Sequence, residues 1–151
     1  MDKITLIATT SFGLEAIVKR EVQALGFDVS NVSNGKIEFT ATPDEIPRAN
    51  LWLRSADRVL LKMGEFRAET FDELFEQIKT LPWENWITQD GQFTVTGTAV
   101  KSKLGSVRAC QAITKKSVVE RLKKAYRVEW FDETGPEFTI KISMLKDIAT
   151  L

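Results

Sequence analysis

The stretch Val32-Ser33-Asn34-Gly35-Lys36-Ile37-Glu38-Phe39 decides the fold of the first half of the chain. Asparagine followed by glycine is favoured in tight hairpin turns, because the central residues of such turns need a positive φ. Apolar and polar residues alternate after this dipeptide, as in a strand with one buried face. We therefore predict a hairpin with strands at 27–33 and 36–40.

Helix and strand patterns flank this hairpin on both sides. Ser11 is a candidate N-cap and Gly26 a natural helix stop for the upstream helix, and Pro43 is well placed to open the downstream one. The predicted order is a strand at 4–9, a helix at 14–25, the hairpin, a helix at 44–54 and a strand at 57–66. This βαββαβ order is that of the ferredoxin-like fold. We predict such a domain over residues 1–66.

The second half predicts another mixed domain, over residues 67–151. Thr70 is a candidate N-cap, because Glu73 follows it at the spacing of a capping box. The further predicted elements are strands at 93–100, 127–131 and 138–144 and a long helix at 106–125. The fold class is therefore α+β or α/β, with two domains.

Composition excludes several kinds of site. The chain has no histidine and one cysteine, Cys110, so a zinc site and a nucleophile–histidine triad are not expected. No apolar run approaches the roughly 20 residues of a membrane span, and the start of the chain lacks a signal-peptide pattern. We expect a cytoplasmic protein with no metal. Trp52, Trp83 and Trp86 are expected to pack, and Cys110 to be buried.

Positive charge is concentrated in one segment. Residues 99–127 contain nine Lys or Arg and one acid, Glu120, whereas residues 67–98 contain two and six. On a helical wheel, the long helix separates into two faces. The face expected to be buried comprises Cys110, Ile113, Ser117, Val118, Leu122 and Ala125. The opposite face carries Arg108, Lys115, Lys116 and Lys123.

A solvated helix surface is the common explanation for a lysine-rich face, but two features favour an anion. Few acids are interspersed at the spacing that would pair with these lysines. The first turn carries Arg108, which opposes the helix dipole unless a phosphate binds there. We predict that this segment binds the backbone of a structured RNA. The predicted RNA-binding residues are Lys101, Lys103, Ser106, Arg108, Lys115, Lys116 and Lys123.

An ordered set of short motifs resembles a known family. In the first half these are Ala8-Thr9-Thr10, Gly13-Leu14-Glu15, Leu25-Gly26 and the stretch 49–60. In the second half they are Lys101-Ser102-Lys103-Leu104, Ser106, Gln111, Lys115-Lys116, Val118-Val119 and Glu133-Thr134-Gly135. The chain resembles the N-terminal region of THUMP-containing RNA methyltransferases, above all the bacterial type that methylates guanine N2 in 23S ribosomal RNA.

This resemblance implies a ferredoxin-like domain and a THUMP domain that together present RNA to a separate catalytic domain. That domain would bind S-adenosylmethionine, and its glycine-rich loop and Asn/Asp-Pro-Pro-aromatic motif have no counterpart here. We therefore expect a monomeric fragment that has no catalytic site or cofactor of its own and binds ribosomal or transfer RNA.

Three alternatives stay open. The chain could serve another THUMP enzyme, one that methylates or thiolates transfer RNA. It could be a protein-interaction module without an RNA role. A small acylphosphatase is a third candidate on fold grounds, but the turn over residues 9–13 carries no arginine for the phosphate.

Overall fold

A computed structural model describes residues 2–129, 131 and 133–151. The chain divides into two compact units, Met1–Lys62 and Met63–Leu151. The strands are β1 Ile4–Thr9, β2 Asp28–Ser33, β3 Lys36–Ala41, β4 Arg58–Lys62, β5 Glu65–Arg67, β6 Gln92–Val100, β7 Glu137–Leu145 and β8 Ile148–Thr150. The α-helices are α1 Glu15–Ala24, α2 Ile46–Trp52, α3 Phe71–Lys79 and α4 Val107–Tyr126, with short 3-10 helices at Pro43–Glu45 and Trp83–Asn85.

The first unit has the predicted ferredoxin-like order. Its antiparallel sheet runs β2-β3-β1-β4, and the β2–β3 hairpin turns at Asn34-Gly35, where Gly35 has a φ of 72°. The apolar side chains of α1, α2 and the sheet share one core, which includes Leu6, Val18, Val22, Ile37, Phe39 and Ala49. Burial of this apolar surface is what stabilises the βαββαβ arrangement.

Helix α1 begins later than predicted. Its N-cap position is Leu14, and Ser11 contributes only its backbone carbonyl, which accepts the N–H of Leu14. The Glu15 carboxylate accepts the N–H of Gly13 instead, at 2.9 and 3.0 Å. A hydroxyl one turn too early therefore cannot cap this helix, and the prediction for Ser11 was wrong.

The strand predicted at 57–66 is two strands in two different sheets. β4 pairs with β1, whereas β5 pairs with β8. Between them, the backbone of Gly64 exchanges hydrogen bonds with Leu151, at 3.2 and 2.9 Å. A continuous apolar pattern does not reveal where a chain leaves one sheet for another. The sequence therefore predicted one strand where the structure has β4 and β5. The units consequently divide after Lys62, four residues before the predicted boundary.

The second unit has a four-stranded sheet in the order β5-β8-β7-β6. β6 and β7 are parallel, and α4 connects them, whereas the other pairs are antiparallel. The core brings together Leu74 and Ile78 of α3 with buried residues of α4 and β7. The three-residue strand β8 was not predicted.

The strand predicted at 127–131 is absent from the described residues of that segment. Arg127 ends α4 in the left-handed conformation, with a φ of 56°, and residues 128, 129 and 131 are not in a strand. Trp130 lies outside the described residues. The described residues of this segment therefore belong to a helix end and a loop.

The tryptophans differ from one another. Trp83 is buried, and its indole N–H donates to the carbonyl of Ile78 at 2.9 Å, which confirms the packing prediction. Trp86 is half-buried. Trp52 is 60% exposed at the end of α2, so the packing prediction was wrong for it. Neighbouring leucines in the sequence did not indicate which side of a short helix faces the core.

Candidate nucleic-acid interface

Helix α4 forms as its sequence directs. The Ser106 hydroxyl accepts the N–H of Ala109 at 3.3 Å, which makes Ser106 the N-cap. Cys110, Val118 and Leu122 are buried as predicted, and burial raises the pKa of the Cys110 thiol. Two further buried residues are polar: the hydroxyls of Thr114 and Ser117 donate to carbonyls one turn earlier, at 2.7 and 2.8 Å. Ala125 is exposed, so the prediction that it is buried was wrong; at this end of the helix Tyr126 packs against the core instead.

The opposite face of α4 presents the predicted cations. Arg108, Lys115 and Lys116 are exposed, and Lys123 is half-buried. Among residues 2–129, 131 and 133–151, no carboxylate oxygen lies within 4.0 Å of the side-chain nitrogens of these four residues. Four unneutralised cations on one helix face are the arrangement that a phosphate backbone requires.

Aromatic rings support two of these lysines from below. The Nζ of Lys115 lies 5.8 Å from the centroid of the Phe93 ring, and the Nζ of Lys116 lies 5.7 Å from that of Phe75. In such contacts the aliphatic stem covers apolar surface while the ammonium group stays in water. Each of the two ammonium groups therefore lies beside a ring of a neighbouring element, and neither has a carboxylate within 4.0 Å among the described residues.

Helix α3 contributes a cation that sequence reasoning missed. The Nζ of Lys79 also lies 5.7 Å from the centroid of the Phe75 ring, so Lys79 and Lys116 share one aromatic support. Lys79 belongs to the acidic segment 67–98, which is why the charge count hid it. The spacing of Phe75 and Lys79, one helical turn apart, was the available signal.

Lys103 departs from the expected arrangement of free cations. Its Nζ lies 3.0 Å from Glu69 Oε2, while Arg67 donates to Glu69 Oε1 at 3.0 and 2.5 Å. These two cations, Arg67 first, lower the pKa of the Glu69 carboxyl. Lys103 thus has an internal partner, which contradicts the expectation that neighbouring carboxylates leave this segment unpaired.

A carboxylate on the β7–β8 turn holds the loop between β6 and α4. The Asp147 Oδ1 accepts the backbone N–H of Lys103 at 2.7 Å, and the N–H of Asp147 donates to Ser102 Oγ at 3.0 Å. The Ser102 hydroxyl in turn donates to the carbonyl of Val100 at 3.0 Å. Lys101 lies inside this bonded loop with its side chain exposed. The loop is therefore fixed rather than free.

The start of α4 keeps the features expected of an anion site. Its first turn contains no acid, and Arg108 occupies its second position. The Ser106 hydroxyl already accepts one N–H, so what it offers a phosphate is its own O–H. Binding of a phosphate at this helix start stays a prediction.

Arg121 is the basic residue of α4 that faces inward. Its guanidinium donates to both oxygens of Glu84, at 3.0 and 2.6 Å, and to the carbonyl of Lys79 at 3.3 Å. This bonding lowers the pKa of the Glu84 carboxyl. The pair attaches α4 to the 3-10 helix and leaves Arg121 outside the candidate interface.

Within the described part of the chain, no three Cys, His, Asp or Glu side chains group as metal ligands would. None of the helices described there has the length and apolar character of a membrane span.

Comparison with known proteins identifies both units. The ferredoxin-like domain of RlmL matches residues 5–60, and the THUMP domain matches residues 68–151. The chain belongs to the THUMP domain family. This confirms the resemblance seen in the motifs and the two-domain fold class.

Two curated relatives of this chain carry methyltransferase names. The chain is 48% identical, over its full length, to a Bacillus subtilis protein provisionally named RNA methyltransferase YpsC, of which it spans 40%. It is 31% identical over 98% of its length to ribosomal RNA large subunit methyltransferase K/L of Syntrophotalea carbinolica, of which it spans 21%.

A solved structure from Listeria monocytogenes has the same fold. It superimposes with a TM-score of 0.95 at 51% identity, over 99% of this chain and 40% of that one. That protein is described as a predicted N6-adenine-specific DNA methylase. The relatives thus agree on methyl transfer and differ in the nucleic acid that their names give.

Proposed function

We propose that this chain binds structured RNA, ribosomal RNA first among candidates, and presents it to a methyltransferase domain. The cation face of α4, defined as Arg108, Lys115, Lys116 and Lys123, supplies the RNA contacts. The chain spans at most 40% of the relatives described above, so methyl transfer is assigned to the part of such proteins outside the shared region. Guanine N2 is the proposed target atom.

The observation that carries this proposal is a helix face with four cations and no described carboxylate within 4.0 Å. A lysine-rich face that served only solubility would gain stability from interspersed glutamates, and Glu120 is the one acid on this helix. The ammonium groups of Lys116 and Lys115 lie beside the rings of Phe75 and Phe93. A phosphate backbone is a partner whose repeated negative charges suit several cations on one face.

Methyl transfer in the whole protein implies S-adenosylmethionine as the methyl donor. We place its binding site in the domain outside the shared region. For the present chain we propose no cofactor, a monomeric state and a cytoplasmic location, where bacterial ribosomal and transfer RNA are found.

The test reverses charge on this face. We expect K115E/K116E to lower affinity for a 23S ribosomal RNA transcript by at least about tenfold, because two phosphate contacts are replaced by repulsion. In fluorescence anisotropy against salt, the slope of log affinity on log salt should fall by about 2. The matched control is K19E/R20E, which reverses two adjacent exposed cations on α1.

The outcomes separate the candidate functions. If K115E/K116E bound the ribosomal and transfer RNA transcripts as tightly as the wild type does, the proposal would be overturned. Binding that does not respond to salt would favour an acidic protein partner. Tighter binding of a transfer RNA transcript than of the ribosomal one would move the assignment to a transfer-RNA enzyme.

A further inference from the structure

Two lysines, Lys101 and Lys146, have an unfavourable backbone conformation. Among the described residues other than glycine, four have a positive φ: Lys101 at 49°, Arg127 at 56°, Lys146 at 50° and Asp147 at 65°. The left-handed region crowds Cβ against the backbone, and glycine, asparagine and aspartate tolerate it better than lysine does. Lysine at two of these positions therefore makes the folded protein less stable than glycine or asparagine would.

Lys146 and Asp147 form the two-residue turn between β7 and β8. Hairpin loops of this length with positive φ at both central residues usually carry Asn-Gly or Asp-Gly. Asp147 suits its position, and its carboxylate also holds the Lys103 N–H. The Lys146 side chain is exposed and forms no hydrogen bond or ion pair with a described residue. The turn does not need a lysine for its geometry.

Backbone bonds place Lys101 beside this turn. The N–H of Lys146 donates to the carbonyl of Val100 at 3.1 Å, and the N–H of Asp147 donates to Ser102 Oγ at 3.0 Å. The residues immediately before and after Lys101 are thus both bonded to the turn. Lys101 and Lys146 are fixed next to one another by bonds that involve neither ammonium group.

Nearby carboxylates are already engaged. Glu69 pairs with Arg67 and Lys103, and Asp147 Oδ2 lies 4.0 Å from Arg67 while its Oδ1 accepts the Lys103 N–H. In the described part of the chain, no carboxylate oxygen lies within 4.0 Å of the Nζ of Lys101 or Lys146. Two lysines with adjacent backbones therefore remain without a carboxylate partner among the described residues.

We propose that Lys101 and Lys146, the lysine pair, bind a phosphate of the RNA and extend the cation face of α4 onto the sheet end. This rests on the proposed function and adds to it Lys146, which lies in a segment of net negative charge. Lys103, by contrast, acts as a positioning residue that secures the loop through Glu69. Charge is the property that lysine supplies at two positions where other residues fit the backbone better.

The test uses substitutions that suit the backbone and remove the charge. K101G/K146N should bind a 23S ribosomal RNA transcript about tenfold more weakly, with a log–log salt slope reduced by about 1 to 2. Its thermal midpoint should equal or exceed that of the wild type, because both replacements favour the left-handed region. The matched control is K19Q/R20Q, which removes two adjacent exposed charges on α1 and should leave RNA affinity unchanged.

Each possible result supports or overturns the proposed role of the lysine pair. Weaker binding with an unchanged or raised midpoint supports the lysine pair. Unchanged binding of K101G/K146N, in a protein whose binding K115E/K116E abolishes, overturns the lysine pair and leaves the proposed function intact. Weaker binding with a lowered midpoint assigns the two lysines to folding and also overturns it. A wild type that binds no RNA overturns both proposals.

Discussion

At the scale of single residues, the contact between Glu84 and Arg121 contributes to the way the stability of the second unit responds to acid. Both side chains are about three-quarters buried, and the guanidinium donates to both carboxylate oxygens. The pKa of Glu84 lies below its ordinary value in the folded protein. The pair therefore adds stability above the unfolded-state pKa of the carboxyl, and that stability is lost as the pH falls through the folded-state pKa.

Replacing the Glu84 carboxylate should remove its contribution to the pH dependence of stability. We expect E84Q to lower the free energy of unfolding by about 1–2 kcal/mol at neutral pH. The difference from the wild type should shrink as the pH falls below about 4. Urea unfolding at a series of pH values measures it, with E120Q, on the exposed face of α4, as the control. A constant difference across the series would contradict the assigned role.

Individual site residues differed in how far the sequence could predict them. Lys115 and Lys116 were predictable, because a helical period assigns each residue of a long helix to a face. The pairing of Lys103 was not, since its partner Glu69 lies 34 residues earlier. Lys79 and Lys146 were hidden for a related reason: each lies in a segment whose average charge is negative, and only tertiary contacts bring it beside other cations.

At the scale of elements, substitutions at the N-terminus of α4 should change both the stability of the protein and its proposed binding of RNA. An aspartate at position 106 would keep the cap and improve the interaction with the helix dipole, and it would also repel phosphate. We expect S106D to raise the free energy of unfolding by about 0.5 kcal/mol and to weaken RNA binding several-fold.

Ser106→Ala is the companion variant. It should lower the free energy of unfolding by about 1 kcal/mol through loss of the cap. It should weaken RNA binding less than S106D does, because it removes the O–H donor without adding a negative charge. Thermal unfolding and anisotropy on the same preparations measure both effects. An S106D protein that binds RNA as tightly as the wild type would show that no phosphate approaches this helix start.

Elements were predictable where local chemistry specified them. The Asn34-Gly35 hairpin, the Thr70 cap, the Ser106 cap and the long helix all depend on neighbours in sequence. β5 and β8 were not predicted as separate strands, because three-residue strands have too few residues to show an alternating pattern. Their pairing is fixed by partners more than 80 residues apart in sequence, as in Glu65 with Thr150.

At the scale of the whole molecule, a net charge of zero conceals a division between basic and acidic surfaces. We expect photocrosslinks from 4-thiouridine-labelled RNA to fall mainly within residues 101–124 and at Lys146. The exposed acids of α3, such as Asp72 and Glu76, should remain largely free of them, because they repel phosphate. Mass spectrometry of the crosslinked peptides gives the distribution, and a majority within 67–98 would refute this layout.

The position of β8 inside its sheet has a consequence for synthesis on the ribosome. This strand lies between β5 and β7, although it is the last to be made. The first unit can fold once Lys62 has emerged, whereas β5 must wait for a partner that appears more than 80 residues later. We therefore expect the four-stranded sheet of the second unit to be complete only after translation has passed Thr150.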